Sequence, residues 1–132
     1  MRTFALYLLA AFFIGAGAMH FVSPEIYVPM IPPYLPWPLT LVYLSGVAEI
    51  AGGAGVLIPR LRRAAGWGLV ALLIAIFPAN IHIAMNDIPV AGHDVPWWGH
   101  AVRLPFQLVF IAWVVWATEL RTSRDKQEQV AE

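Results

Sequence analysis

The sequence predicts an all-α fold, a transmembrane four-helix bundle with both termini cytoplasmic. Three observations carry this. Hydrophobic residues make up 60% of the 132 positions and charged residues only 12%, about half the roughly 25% charged share of soluble domains. Mean hydropathy is +0.69. Four runs are each long enough to cross about 30 Å of hydrocarbon, which takes about 20 apolar residues. They are too long for barrel strands, and lipid offers an open backbone no partner, so each run is read as a helix. A soluble domain of this size could not cover so much apolar surface with so few charges, and disorder needs the opposite balance.

The spans follow in order. Residues 3–22 contain no Asp, Glu, Lys or Arg. Arg2 before this run and Ala16-Gly17-Ala18 within it resemble a signal peptide and its cleavage site. The apolar run continues to Val22, so the segment is expected to stay as a membrane span. Span two, 39–57, contains only Glu49; span three, 64–85, contains no charge; span four, 97–118, contains only Arg103. Residues 119–132 form a polar tail, expected on the cytoplasmic side. Arg2, then Arg60, Arg62 and Arg63, then Arg121, Arg124 and Lys126 flank the spans on one side. The positive-inside rule makes that side cytoplasmic. The expected location is a bacterial inner (cytoplasmic) membrane, with the other two loops on the periplasmic side.

Between spans one and two, residues 23–38 hold six prolines, so this loop cannot be one helix. It is also apolar, and is read either as a stiff connector or as a lid over the bundle mouth. Tyr34, Trp37, Trp97 and Trp98 suit an interfacial aromatic belt and are candidates for a pocket rim or lid. Small residues four apart, at Ala11/Gly15, Ala48/Gly52, Ala51/Gly55 and Ala71/Ala75/Ala79, are expected to let helices approach closely inside the bundle.

The informative residues of such a chain are the polar ones within its spans. At about 1.5 Å per residue, Glu49 lies near the midplane. His20, Asn80, His82, Arg103 and Gln107 all lie in the outer half. This asymmetry predicts a polar pocket open to the outer face, with Glu49 at its floor. Arg103 and Gln107 share a helix face, as do Ser45 and Glu49. Asn80 and His82 are about 160° apart on a regular helix, although Pro78 loosens the helix there. A lone carboxylate facing lipid costs several kcal/mol, so Glu49 is expected to be protonated, paired or in a wet cavity. A direct Glu49–Arg103 pair and a link through water or Gln107 both remain open. The bland alternative is that these groups are interhelical glue worth about 0.6 kcal/mol each.

Other chemistries are poorly supplied. Lys+Arg and Asp+Glu are 8 each, leaving no basic excess for nucleic acid. The absence of Cys excludes disulfides, thiol redox chemistry, thiolate zinc and Cys-ligated clusters within the chain. His82, His93, Asp94 and His100 match no zinc spacing, so no metal is expected. A bis-histidine haem between His20 and His82 is geometrically conceivable but unsupported by any motif, and is not favoured.

Several elements together resemble the DoxX-like family of small four-helix membrane proteins. They are Met19-His20-Phe21, Met30-Ile31-Pro32-Pro33-Tyr34-Leu35-Pro36, Leu44-Ser45-Gly46-Val47-Ala48-Glu49-Ile50 with Gly52-Gly53, Pro59-Arg60, and Phe77-Pro78-Ala79-Asn80-Ile81. The resemblance extends to about Thr118. It implies a four-helix bundle and places His20, Glu49 and Asn80 on the family's pattern. The family is named for a small subunit of an archaeal thiosulfate:quinone oxidoreductase. Other relatives are linked to oxidative-stress complexes, methylamine-utilisation maturation and receptor chaperoning. The Cys-free sequence departs from the disulfide chemistry of the methylamine-utilisation relatives.

Two functions are therefore expected to compete. In one, a redox-associated accessory subunit binds a lipophilic, quinone-like ligand, and any activity is that of an oxidoreductase subunit and not a complete enzyme; no catalytic residue is assigned. In the other, the chain is an assembly factor or chaperone. Beyond the lipid bilayer, the expected partners are another membrane protein or further copies of this chain.

Overall fold

The computed structural model describes residues 1–90 and 93–118. Among these the chain forms four long helices and no strand: α1 (Arg2–Val22), α2 (Pro38–Leu57), α3 (Arg62–Asn86) and α4 (Trp97–Ala117). All four are long and apolar enough to cross a membrane. Each begins and ends within a turn of its expected span. The tail at 119–132, with Arg121, Arg124 and Lys126, lies outside the described residues.

Local chemistry sets the ends. Ser23 and Ile58 each precede a proline and leave the helical region, ending α1 and α2. Pro38 opens α2 at its first position, where a missing N–H costs no hydrogen bond. Asp87 ends α3 with a left-handed φ of 52°, a conformation that Asp adopts more readily than most residues. The proline-rich connection breaks into two 3-10 turns, Pro24–Ile26 and Val28–Met30, and buries Met30 and Pro32 against the bundle.

The helices form a ring in chain order. Each packs on its neighbours, and the diagonal pairs α1/α3 and α2/α4 do not meet. The ring is uneven, with α1 packing most extensively on α2 and only sparsely on α4. The apolar core occupies the end where α1 begins and α4 ends: Leu6, Leu9, Ala10, Phe13, Val56, Leu69, Val70, Val114 and Ala117. There the Arg2 guanidinium lies 5.8 Å from the Trp116 ring centroid, within cation–π reach. The buried His20, Glu49, His100 and Gln107 sit toward the opposite end, below the two loops.

The α1–α2 crossing is built on glycine. A Cβ at Gly17 would lie 2.6 Å from the Gly46 carbonyl oxygen, and one at Gly46 would lie 2.9 Å from the Gly17 carbonyl oxygen. A second approach joins Gly53 to Ala10 and Ile14. Gly52 and Gly55 receive Leu69 and Ala65 of α3. The expected small-residue pairs need correction here. Ala11, Gly15, Ala48, Ala51, Ala71 and Ala75 are exposed on the bundle's outer surface. Gly52 and Gly55 on α2 face a neighbouring helix and Ala79 is half-buried, because helix–helix approach requires the correct face as well as small size.

Gly17→Ala is therefore expected to lower stability by about 1–3 kcal/mol, the usual cost of overpacking. The control is Gly15→Ala, whose Cβ meets nothing within 4 Å. It should leave stability unchanged or raise it slightly. Thermal unfolding of the purified variants in one detergent compares the two.

Candidate functional site

The polar side chains form two groups on opposite sides of one space. The first is a directed hydrogen-bond chain between α3 and α4. Arg103 Nη2 donates to Asn80 Oδ1 at 3.3 Å. Asn80 Nδ2 donates to Gln107 Oε1 at 2.6 Å. Gln107 Nε2 donates to the Leu73 carbonyl. Arginine can only donate and a carbonyl can only accept, so the two ends fix the orientation of both amides between them. Pro78, lacking an N–H, weakens the backbone ladder of α3 one turn after Leu73. The carbonyl left without its helical donor is that of Ile74, the residue after the one whose carbonyl Gln107 reaches.

The second group joins α1 and α2. The Gly17–Gly46 crossing brings the His20 ring against α2, where its Nδ1 is 2.8 Å from the Val42 carbonyl oxygen. His20 Nε2 faces Glu49 Oε2 at 3.5 Å. Glu49 is only 8% exposed, and its Oε2 makes no hydrogen bond. Tyr27 covers His20, with ring centroids 4.2 Å apart. Burial, and secondarily the Glu49 carboxylate, raise the Tyr27 phenol above its ordinary range.

Two compartments meet at these groups. The larger, about 450 Å³, lies at the loosely packed α1–α4 seam. Phe12, Phe13, Phe106 and Phe110 give it an aromatic wall, and Glu49, Asn80, Arg103 and Gln107 a polar one. Phe12, Val102 and Phe106 are also exposed on the outer surface of the bundle. The smaller, about 200 Å³, lies beneath the proline-rich connection, whose Tyr27, Met30 and Ile31 line it with His20. Glu49, Ile76, Asn80 and Arg103 line both. Ser45 shares the smaller compartment with Glu49, as their spacing on one face required.

Of the six expected pocket residues, five line one or both compartments. Of the links left open between Glu49 and Arg103, the direct pair is not formed: Glu49 faces His20 and Arg103 bonds to Asn80. His82 lies outside both: its Nδ1 is 3.0 Å from Asn86 Nδ2, one turn along α3. The 200° separation of residues two apart on a helix turns it away when Asn80 faces in. None of the four aromatic rim candidates lines either compartment. Tyr34 instead lines a separate groove of about 290 Å³ between the connection and the α2–α3 face. Trp37, Trp97 and Trp98 are exposed. Among the described residues no three His, Asp or Glu side chains gather as metal ligands. His93 and Asp94 are exposed, and His100 Nε2 pairs with Asp87 Oδ1 at 3.2 Å.

The phenylalanine wall and Tyr27 were not among the expected site residues. Phe12 and Phe13 read as ordinary span residues, and only the face shared by Phe106, Phe110 and Arg103 at helical spacing hinted at the grouping.

Gln107→Leu should strand the Asn80 amide and the Leu73 carbonyl. The expected loss is about 1 kcal/mol, between the ~0.6 typical of interhelical bonds in membranes and the ~1–3 of an orphaned buried group, read as a lower unfolding midpoint. For Tyr27 the folded state holds its proton more tightly than the unfolded state does. Its contribution is thus complete below the free-tyrosine range and is lost as pH rises through it. In an ultraviolet titration one tyrosine should ionise later than free tyrosine, and Tyr27→Phe should remove that late component.

No match to the chain exists among curated proteins or solved structures. A family match does exist, and it runs from the core residue Leu9 to the last described residue, taking in every polar group of the site. Residues 9–118 match the Domain of unknown function (DUF8561), and the chain belongs to that family.

Proposed function

We propose that this protein is a membrane-embedded accessory subunit that binds a lipophilic, quinone-like ligand at the α1–α4 seam. One observation carries the reading: a cavity of about 450 Å³ sets an aromatic wall against a wall of hydrogen-bonding groups. Ligand sites commonly combine this size, an apolar lining and a few placed polar groups. The seam is where two neighbouring helices pack least, and its flanks are exposed apolar side chains. A ligand dissolved in the bilayer would therefore reach it sideways. Arg103 would donate a hydrogen bond to a ligand carbonyl oxygen, Glu49 would accept one from a ligand hydroxyl, and the phenylalanines would stack on its ring.

The DoxX-like elements around His20, Glu49 and Asn80 support a redox-associated setting. In that setting electrons would come from a partner subunit, since the sequence has no flavin motif and no Cys. Arg60, Arg62 and Arg63, in or beside the α2–α3 connection, support cytoplasmic termini and an outward-facing loop end, in a bacterial inner membrane.

A second reading, an assembly factor for a partner membrane protein, is favoured by one observation. Ala11 and Gly15 present a flat, open strip on the outer face of α1, where a Cβ at Gly15 would meet nothing.

Solvent extraction of the detergent-purified protein, with mass spectrometry of what is released, tests the first reading. A ring-bearing lipophile should be recovered from the wild type. Glu49→Gln should reduce recovery about tenfold, because a hydrogen bond to a charged group contributes about 1.5–3 kcal/mol. Equal and empty extracts from both would remove the ligand reading. If complex formation instead fails on Gly15→Leu or Trp37→Ala while Glu49→Gln is harmless, the assembly reading holds.

A further inference from the structure

The charges around the shared wall do not cancel. The Val42 carbonyl can only accept, so His20 Nδ1 must carry a hydrogen. That leaves His20 Nε2 facing Glu49 Oε2 at 3.5 Å. With a neutral ring and an ionised carboxylate, two lone pairs would oppose each other in a buried place. One proton held by either partner removes that conflict. The pair therefore holds one proton and is neutral as a unit, either imidazolium with carboxylate or imidazole with carboxylic acid.

Arg103 is then left without a counter-charge. Its Nη2 is occupied by a neutral amide, Asn80 Oδ1. Its Nη1 is buried and has no hydrogen-bond partner. Among the described residues no carboxylate lies within salt-bridge distance of it. Glu49 lines the same two compartments but is turned to His20. A net positive charge thus sits beside an aromatic wall at membrane depth. Ionisable groups inside spans ordinarily find a partner, because an uncompensated charge in low dielectric is costly.

We propose that the seam cavity takes an amphiphile with a single anionic oxygen head, such as an alkyl carboxylate, seated on Arg103 with its apolar tail directed past Phe12 and Phe106 into the bilayer. The proposal rests on reading this cavity as a lipophile site, and it puts an anionic head where that reading has a quinone-like ring. The one proton of the His20–Glu49 pair is spent between Nε2 and Oε2, so Arg103 carries the recognition of the anion and the neutral pair adds no net charge against it.

The test uses the full chain in detergent with two probes of equal tail, dodecanoate labelled with carbon-13 at the carboxyl and methyl dodecanoate, at a pH where the free acid is ionised. Native mass spectrometry measures occupancy, and carbon-13 resonance reports the charge of the bound head. Dodecanoate is expected to bind at least tenfold more tightly than the ester and to stay ionised to lower pH than in empty micelles. Arg103→Gln should abolish the preference, and Arg103→Lys should restore most of it. The comparison of acid with ester in the wild type needs no variant to fold. Equal binding of acid and ester would overturn the anionic head while leaving a neutral lipophile site in place. Binding of neither would overturn this proposal, while the ligand-site reading is decided by the extraction.

Discussion

The crossing of α1 over α2 at Gly17 and Gly46 is the contact on which the remaining geometry depends. Two helix backbones approach there until no Cβ fits between them. Because α1 is drawn so closely to α2, it is not drawn to α4, and a four-membered ring with one tight edge has one loose edge. The seam cavity is that loose edge. The same approach carries the His20 ring within reach of the Val42 carbonyl, three residues along α1 from Gly17. A single close contact thus places the imidazole, orients it and opens the space that the site occupies.

Lipid makes the polar side chains answer to one another. Water is not at hand to relieve an unpaired donor, so every polar group in the spans needs a protein partner or a guest. Most have one. Gln107 donates to the Leu73 carbonyl of α3, Asn80 links it to Arg103, and Val42 holds His20. Three buried atoms do not: Glu49 Oε2, Arg103 Nη1 and His100 Nδ1. Glu49 and Arg103 line both compartments, as does the hydrogen-bonded Asn80. Interhelical glue accounts for the bonded groups, because each bond closes. It does not account for the three unpartnered atoms.

The spans were legible because membrane thickness translates directly into run length. Their ends fall close to the limits of the apolar runs, where Ser23-Pro24, Ile58-Pro59 and Trp37-Pro38 act through steric rules that need no tertiary contact. Depth was legible for the same reason, so the polar residues of α1–α4 could be assigned to one half of the bundle. Azimuth was not. Nothing local says that Gly17 meets Gly46 while Ala11 and Gly15 face outward, because sequence spacing defines a stripe but not the neighbour it meets. The partner exchange at Glu49 and Arg103 has the same origin. Opposite charges suggest a pair, and only the three-dimensional course of α3 puts Asn80 beside the guanidinium. Two-residue spacing did give His82 and Asn80 opposite directions, and the structure keeps Asn80 inside.

The two compartments differ in what can reach them, and this gives their common wall its meaning. The smaller one lies under a proline-stiffened connection at the loop end, beside Tyr27 and His20. The larger one lies between aromatic side chains at a seam that faces the hydrocarbon. Small polar species and protons favour the first route, and apolar molecules the second, since each follows its own solvent. Glu49, Asn80 and Arg103 stand where the two routes meet. A residue set serving only to hold helices together would gain nothing from lining both. On the proposed ligand reading, a set that presents hydrogen bonds to a bilayer-borne molecule while staying beside His20 stands at that junction.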